Sequence, residues 1–261
     1  MIVNARPTRT AVVTGASDGI GAAISERLVD DGWDVLGIDV QRQWPDDERR
    51  RLILGDTSDA STFERAIESL DGHAPLVGWV NNAAVAIPGR LHETTTEQLR
   101  RTMAVNVEAY FWGCAAAIQE FLRTDVAGAI VNVSSIQASH AFPGWAAYVT
   151  SKGAVDALTR YVAVDYGQER IRCNSVAPGN VRTRLAMTVV AEAPKPSEMQ
   201  HLMDSLAPLG RMVEPPEVAA AVAYLLGDDA AFVTGHNLVI DGGATARCYA
   251  MPTAASNDGR A

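Results

Sequence analysis

Cysteine is scarce in this sequence: Cys114, Cys173 and Cys248 are scattered along 261 residues, with no CxxC pair. That excludes a disulfide framework and suits a reducing compartment, so a cytoplasmic location is expected. Long hydrophobic runs are missing too. The longest apolar stretch falls far short of the ~20 residues a membrane span needs, and the opening MIVNARPTR lacks the apolar segment of a signal peptide. Positive charge is in short supply, with 22 Lys and Arg against 31 Asp and Glu and a net charge of −9. Nucleic acid binding needs clustered basic residues, so that class is disfavoured, as are acidic protein partners. The histidines, His73, His92, His140, His201 and His236, lack ligand spacing such as HExxH, so no metal is expected. No linker and no repeat divides the chain.

What is present is ordinary globular composition, 48% hydrophobic and 20% charged, which excludes global disorder. Short β-branched runs recur at Thr10–Thr14, Asp34–Asp39, Arg51–Gly55, Leu76–Asn81, Ala129–Ser134, Ile171–Ala177 and Leu238–Asp241. Few of them alternate polar with apolar, as befits strands buried on both faces. Helix-period segments lie between them, at Ile20–Asp31, Ser61–Leu70, Thr96–Phe121, Tyr148–Tyr166 and Pro215–Leu226. This alternation predicts an α/β fold in one domain, residues 1–261: a doubly wound, mostly seven-stranded parallel sheet with helices on both faces. Trp44–Arg50 reads as a solvated loop. The long connection Arg184–Leu209, with Met187, Met199, Leu202, Met203 and Leu206, reads as a lid.

The first strand runs into Thr14-Gly15-Ala16-Ser17-Asp18-Gly19-Ile20-Gly21, and a helix follows at once. Glycines permit φ > 0 and close approach of a ligand to the main chain. The helix start beyond them offers unpaired N–H groups to a pyrophosphate. Asp39 ends the second strand 18 residues after Gly21, near the spacing expected of an acid that binds the adenosine ribose. Its charge, joined by that of Asp18, would repel a 2′-phosphate, so NAD(H) is expected over NADP(H). Arg42 could partly neutralise Asp39. Further on, Ser135 closes a strand, and Tyr148 and Lys152 are four apart on one helix face.

At this point the chain resembles the short-chain dehydrogenase/reductase family of Rossmann-fold oxidoreductases. The resemblance is carried by TGASDGIG, by Asn81-Asn82-Ala83-Ala84, by Asn106 in VNV and by Ser135, Tyr148 and Lys152. It continues in Pro178-Gly179-Asn180-Val181-Arg182-Thr183 and Asp241-Gly242-Gly243, so that it spans about 9–245. It implies that Tyr148 is the general acid/base, that Ser135 fixes the substrate oxygen, and that Lys152 favours phenolate and holds the nicotinamide ribose. Asn106 would bend its helix and hold a water that links Lys152 to bulk. Cofactor contacts would come from Gly15, Ser17, Asp18, Gly19, Ile20, Gly21, Asp39, Asp56, Asn82, Ala83, Tyr148, Lys152, Pro178, Gly179, Val181 and Thr183. Gln137, His140, Trp145 and Met187 would touch substrate. The resemblance also implies a homotetramer, with the tail 248–261, through Tyr249, Met251 and Pro252, docking on a neighbour. The reaction expected is NAD(H)-dependent interconversion of a secondary alcohol, cyclic or hydrophobic, and its ketone. A sugar or polyol dehydrogenase, a 3-oxoacyl-carrier-protein reductase and a non-catalytic dinucleotide sensor are the alternatives.

Overall fold

The structure is a computed structural model that describes residues 9–45 and 48–248. Its strands are β1 Thr10–Thr14, β2 Asp34–Asp39, β3 Arg50–Leu54, β4 Leu76–Asn81, β5 Ala129–Val133, β6 Arg172–Pro178 and β7 Asn237–Ile240. Each end lies within one residue of the sequence reading. All six pairings are parallel, in the order β3-β2-β1-β4-β5-β6-β7. The direction of winding reverses between β1 and β4. In open α/β sheets that reversal leaves a crevice at the carboxyl ends of the two strands, where ligands bind.

Every residue of β1 and β5 is buried, and the period of two sends their side chains into opposite layers. Ala11 and Val13 join Ile24, Leu28, Val218, Val222 and Leu225 beneath α1 (Gly19–Asp30) and α8 (Pro215–Leu226). Val12 and Ile130 join Phe63, Trp79, Phe121 and Val162 on the other face, under α2 (Ser61–Glu68) and the helices α4 and α5 described below. The fold is therefore the Rossmann-like, doubly wound α/β arrangement that the sequence predicts.

Three segments depart from the sequence reading. The helix expected over Thr96–Phe121 is three pieces: α3 (Thr96–Met103), a π-helical turn at Ala104–Glu108, and α4 (Ala109–Thr124). The π turn carries the buried Asn106, and such turns recur where a helix is bent for a site. The connection after β6, read from sequence only as a long lid, is built of two helices, α6 (Arg184–Glu192) and α7 (Pro196–Ser205). Trp44 is not solvated either. A Cβ on Gly37 would come within 2.8 Å of its ring, so the indole rests on β2 where only glycine leaves room. Asp46, Asp47 and the tail residues Tyr249, Met251 and Pro252 lie outside the described residues.

Candidate active site

The glycine turn is laced to β4 by side chains. Thr14 Oγ1 accepts from the N–H groups of Asn82 (2.9 Å) and Ala83 (3.0 Å). Asn82 Nδ2 donates to the carbonyls of Thr14 (3.0 Å) and Gly15 (3.1 Å). Gly15 and Gly19 take φ of +63° and +55°, and a Cβ on Gly21 would lie 1.9 Å from the Gly15 carbonyl oxygen. Only this glycine pattern lets α1 start so close to the strand. A Cβ on Gly19 would meet the Thr183 methyl at 3.2 Å, so the turn faces the segment after β6.

Asp39 is fixed at the tip of β2. The Ser17 N–H donates to its Oδ2 and the Gln41 N–H to its Oδ1, both at 2.9 Å. Each oxygen retains a lone pair for a further donor. Asp18 behaves differently. It caps α1 by accepting from the Gly19 N–H (2.8 Å), and its other oxygen receives Arg184 Nε (2.9 Å) and Nη2 (2.7 Å). Its charge is thus neutralised by α6, so any bias against a 2′-phosphate rests on Asp39 alone. Asp56 is also engaged, by Ser58 through its N–H and hydroxyl and by Arg101 at 3.1 Å. Burial works against its charge, but these bonds keep its carboxyl below the usual range.

This cradle fits a dinucleotide. Backbone without Cβ atoms lies at the switch point, the first-turn amides of α1 lack partners within the helix, and Asp39 sits one strand away. On the far side, Pro178 ends β6, and Gly179 packs against Asp241, where a Cβ would come within 3.1 Å. Val181 bridges to Val213, and Thr183 caps α6 by accepting from the Ala186 N–H (3.3 Å). Arg182 and Arg184, otherwise attractive anion receptors, are both spent. Arg182 pairs with Glu214 (2.9 Å) and Asp204 (3.2 Å), which ties α7 to the start of α8.

The candidate proton-handling groups meet between β5 and α5 (Ala146–Asp165). Ser135 caps a 3-10 turn over Ile136–Ala138, its hydroxyl accepting from the Gln137 N–H (3.1 Å). The Tyr148 phenol lies close enough to this hydroxyl for Ser135 to oppose the rise of its pKa. One turn along α5, Lys152 Nζ stands 5.7 Å from the Tyr148 ring centroid. The ammonium donates to the Val133 carbonyl (2.7 Å) and to the Tyr110 hydroxyl (3.4 Å), which leaves one of its three hydrogens uncommitted. Tyr110, fully buried, donates to the same carbonyl at 3.1 Å. Sequence reading missed it, although it follows Asn106 by one helical turn and so faces the same way.

Burial dominates the electrostatics here. It pushes the Tyr148 phenol above its usual 10, against the Ser135 hydroxyl, and lowers Lys152 from 10.5 to about 7. Desolvation thus penalises the ammonium and the phenolate alike. Asn106 is likewise committed elsewhere. Its Oδ1 accepts from the Val85 N–H (2.8 Å), and its Nδ2 donates to the Val85 carbonyl (2.9 Å) and Ser151 Oγ (3.0 Å). Its side chain pins the loop after β4 to α5, with both Nδ2 hydrogens in use.

Around this centre, Trp145 meets Tyr148 edge to face at 6.3 Å between centroids. The loop carrying Trp145 is held by Gly89, which donates to the Gly144 carbonyl at 2.7 Å and accepts from the Ala146 N–H at 3.2 Å. Gln137 lies on the 3-10 turn with its Oε1 buried and unpartnered. Met187 lies on α6, its sulfur 3.9 Å from Arg182 Nη1. His140, bonded to Ser139 Oγ at 2.9 Å, borders a cavity of about 330 Å³ together with Ile136, Phe142, Met203 and Leu206. Among the described residues no group of three or more His, Cys, Asp or Glu could hold a metal ion. No helix among them is long and apolar enough to cross a membrane.

Comparison with known proteins agrees with this geometry. A family model described as enoyl-(acyl carrier protein) reductase matches residues 15–245. The chain is 36% identical over 253 residues to 2-(R)-hydroxypropyl-CoM dehydrogenase of Xanthobacter autotrophicus, covering 92% of this chain and 99% of that protein. It is 32% identical over 252 residues to 3beta-hydroxysteroid dehydrogenase 1 of Eggerthella lenta, covering 91% and 94%. Among solved structures, the ligand-free aldohexose dehydrogenase of Thermoplasma acidophilum superposes with a TM-score of 0.88 at 32% identity, covering 94% of this chain and 98% of that one. The chain belongs to the short-chain dehydrogenase/reductase family and is an oxidoreductase of the kind that works with a nicotinamide dinucleotide.

Proposed function

We propose that this protein is an NAD(H)-dependent dehydrogenase that interconverts a secondary alcohol and its ketone, with Tyr148 as general acid/base. The observation that carries the reading is the convergence of Ser135, Tyr148 and Lys152 at the carboxyl end of β5. In oxidation the alcohol hydroxyl lies between the Ser135 and Tyr148 oxygens, and Tyr148 takes its proton. In reduction the phenol returns it. The nicotinamide, when bound, supplies the hydride acceptor or donor. Lys152 would hold the nicotinamide ribose with its remaining hydrogen. Asn106, through Val85 and Ser151, is a positioning residue.

Asp39 supports NAD over NADP, since both its oxygens are aimed by backbone N–H groups and no cation among the described residues is bonded to it. The dinucleotide would run over Gly15, Ser17, Gly19, Ile20 and Gly21 and along Asn82 and Ala83. It would reach the nicotinamide end at Pro178, Gly179, Val181 and Thr183, with Asp56 beside the adenine. One Rossmann domain carries all of this, with residues 184–209 as the lid. The apolar residues of α6 and α7, with Trp145, suit a hydrophobic or cyclic alcohol. The similarity to an aldohexose dehydrogenase structure keeps a polyol substrate as the second reading.

Two exposed apolar faces, Phe111, Trp112, Tyr161 and Val164 on α4 and α5 and Tyr224, Phe232 and Val239 at α8 and β7, suit a homotetramer built on two different contacts. The unpaired cysteines suit a cytoplasmic setting. The test is NADH absorbance across cyclic alcohols, alkanols, polyols and acyl thioesters, with NAD and NADP in parallel. The expected result is turnover of secondary alcohols with NAD ahead. Turnover of acyl thioesters alone, or equal efficiency with both cofactors, overturns the corresponding part.

A further inference from the structure

The cavity beside Ser135 has a composition that the hydride-transfer site does not use. Its floor is apolar: Ile136, Phe142, Met203, Leu206, Leu209 and Ile240. At about 330 Å³ it has the size of a small-molecule site. It touches neither Ser135 nor Tyr148, but Ile136 follows Ser135 directly, so it extends the reaction site toward α7.

Four charged residues border it, and three are already satisfied. Arg211 and Glu217 cancel one another through two bonds of 2.7 Å. Asp241 is buried, and its oxygens receive the N–H groups of Gly243 (2.9 Å) and Thr245 (2.7 Å) and the Thr245 hydroxyl (2.7 Å). That leaves Arg247, exposed at the rim, without a hydrogen bond or ion pair among the described residues. A guanidinium with five donors and no acceptor, at the mouth of an apolar cavity, matches an amphiphile with a single anionic head.

We infer that this cavity is a distal subsite of the substrate pocket, and that it takes an apolar chain ending in a carboxylate or similar monoanion held by Arg247. The inference deepens the dehydrogenase reading and rests on it for the word substrate. An ammonium-headed chain is disfavoured, because the only acid not paired with a cation, Asp241, has its lone pairs filled by local donors.

The test uses the enzyme with NADH and three probes of equal length: octanoate, 1-octanol and octylamine, with binding followed by calorimetry. Octanoate is expected to bind the wild type and to compete with a secondary alcohol in turnover. Arg247→Gln should weaken octanoate by about tenfold, which is ~1.4 kcal/mol, and leave octanol within about twofold. Arg247→Lys should restore most of the loss, and Leu206→Trp, which fills the cavity, should weaken both. No binding of octanoate, equal losses for octanoate and octanol in Arg247→Gln, tighter binding of octylamine, or indifference to Leu206→Trp overturns the inference. If octanoate binding depends on Arg247 while no secondary alcohol is turned over, the subsite stands and the dehydrogenase reading falls. Turnover without octanoate binding does the reverse.

Discussion

Lys152→Met is expected to stabilise the protein without cofactor while abolishing turnover. Burial lowers the lysine from 10.5 to about 7. At about 1.36 kcal/mol per pH unit, that displacement corresponds to roughly 5 kcal/mol of ammonium destabilisation in the fold. Methionine matches the stem in shape and carries no charge. The substitution loses the 2.7 Å bond to the Val133 carbonyl, which offsets about 1.5–3 kcal/mol, and the long 3.4 Å contact with the Tyr110 hydroxyl, which adds little. The carbonyl keeps the Tyr110 donor and is not orphaned. A net gain of about 2 kcal/mol remains, or roughly 5 °C in melting temperature for a chain of this size. Its pH dependence is distinctive. Lys152 binds its proton less tightly in the folded than in the unfolded chain, so the burden is full below pH 7 and shrinks as pH rises toward 10.5. Melting curves of wild type and variant at pH 6 and pH 9 measure this. A variant that melts below wild type at pH 6, or an advantage that grows at pH 9, refutes the reasoning.

Burial raises the Tyr148 phenol above 10, so the phenolate is the minor form at neutral pH. Alcohol oxidation should then climb with pH by up to about tenfold per unit between pH 7 and 9, and a flat profile counts against Tyr148 as the base. Asp39→Asn should cut kcat/KM with NAD by about tenfold, the worth of roughly one charge-assisted hydrogen bond. It should also raise the NADP-to-NAD ratio, and an unchanged ratio removes Asp39 as the selector. Gly21→Ala drives a methyl to 1.9 Å from the Gly15 carbonyl oxygen. It should cost at least about 1–3 kcal/mol by overpacking, and a melting temperature equal to wild type contradicts the close approach of α1 to the turn.

The inner strands were legible because they are buried on both faces and so read as short apolar runs, while the edge strands β3 and β7 are only half-buried. Parallel order followed from the helices between most of them, which return the chain to the same end of the sheet. The proposed catalytic positions were legible through the family resemblance, to which Ser135 at a strand end and Tyr148 with Lys152 on one helix face contributed. What sequence could not give were long-range partners. Nothing near Asp18 announces that Arg184, 166 residues away, neutralises it. Nothing around Asn106 shows that its side chain belongs to Val85 and Ser151. The π turn also escaped, because one extra residue per turn barely disturbs the helical period of Thr96–Phe121. Trp44 was misread because its neighbours are charged, and its seat on Gly37 lies in a different strand. Arg247 carries no pattern of its own and gains meaning only from the cavity it borders.

The measurement closest to the central claim is single-turnover oxidation of a secondary alcohol by Tyr148→Phe, set beside NADH binding by the same variant. The phenol oxygen is the only atom removed, and Trp145, Ser135 and Lys152 keep their places around the ring. The account predicts that turnover falls by at least about a hundredfold while the NADH dissociation constant stays within a factor of about two. Undiminished turnover would contradict it outright, and loss of NADH binding would move Tyr148 from proton transfer to cofactor support.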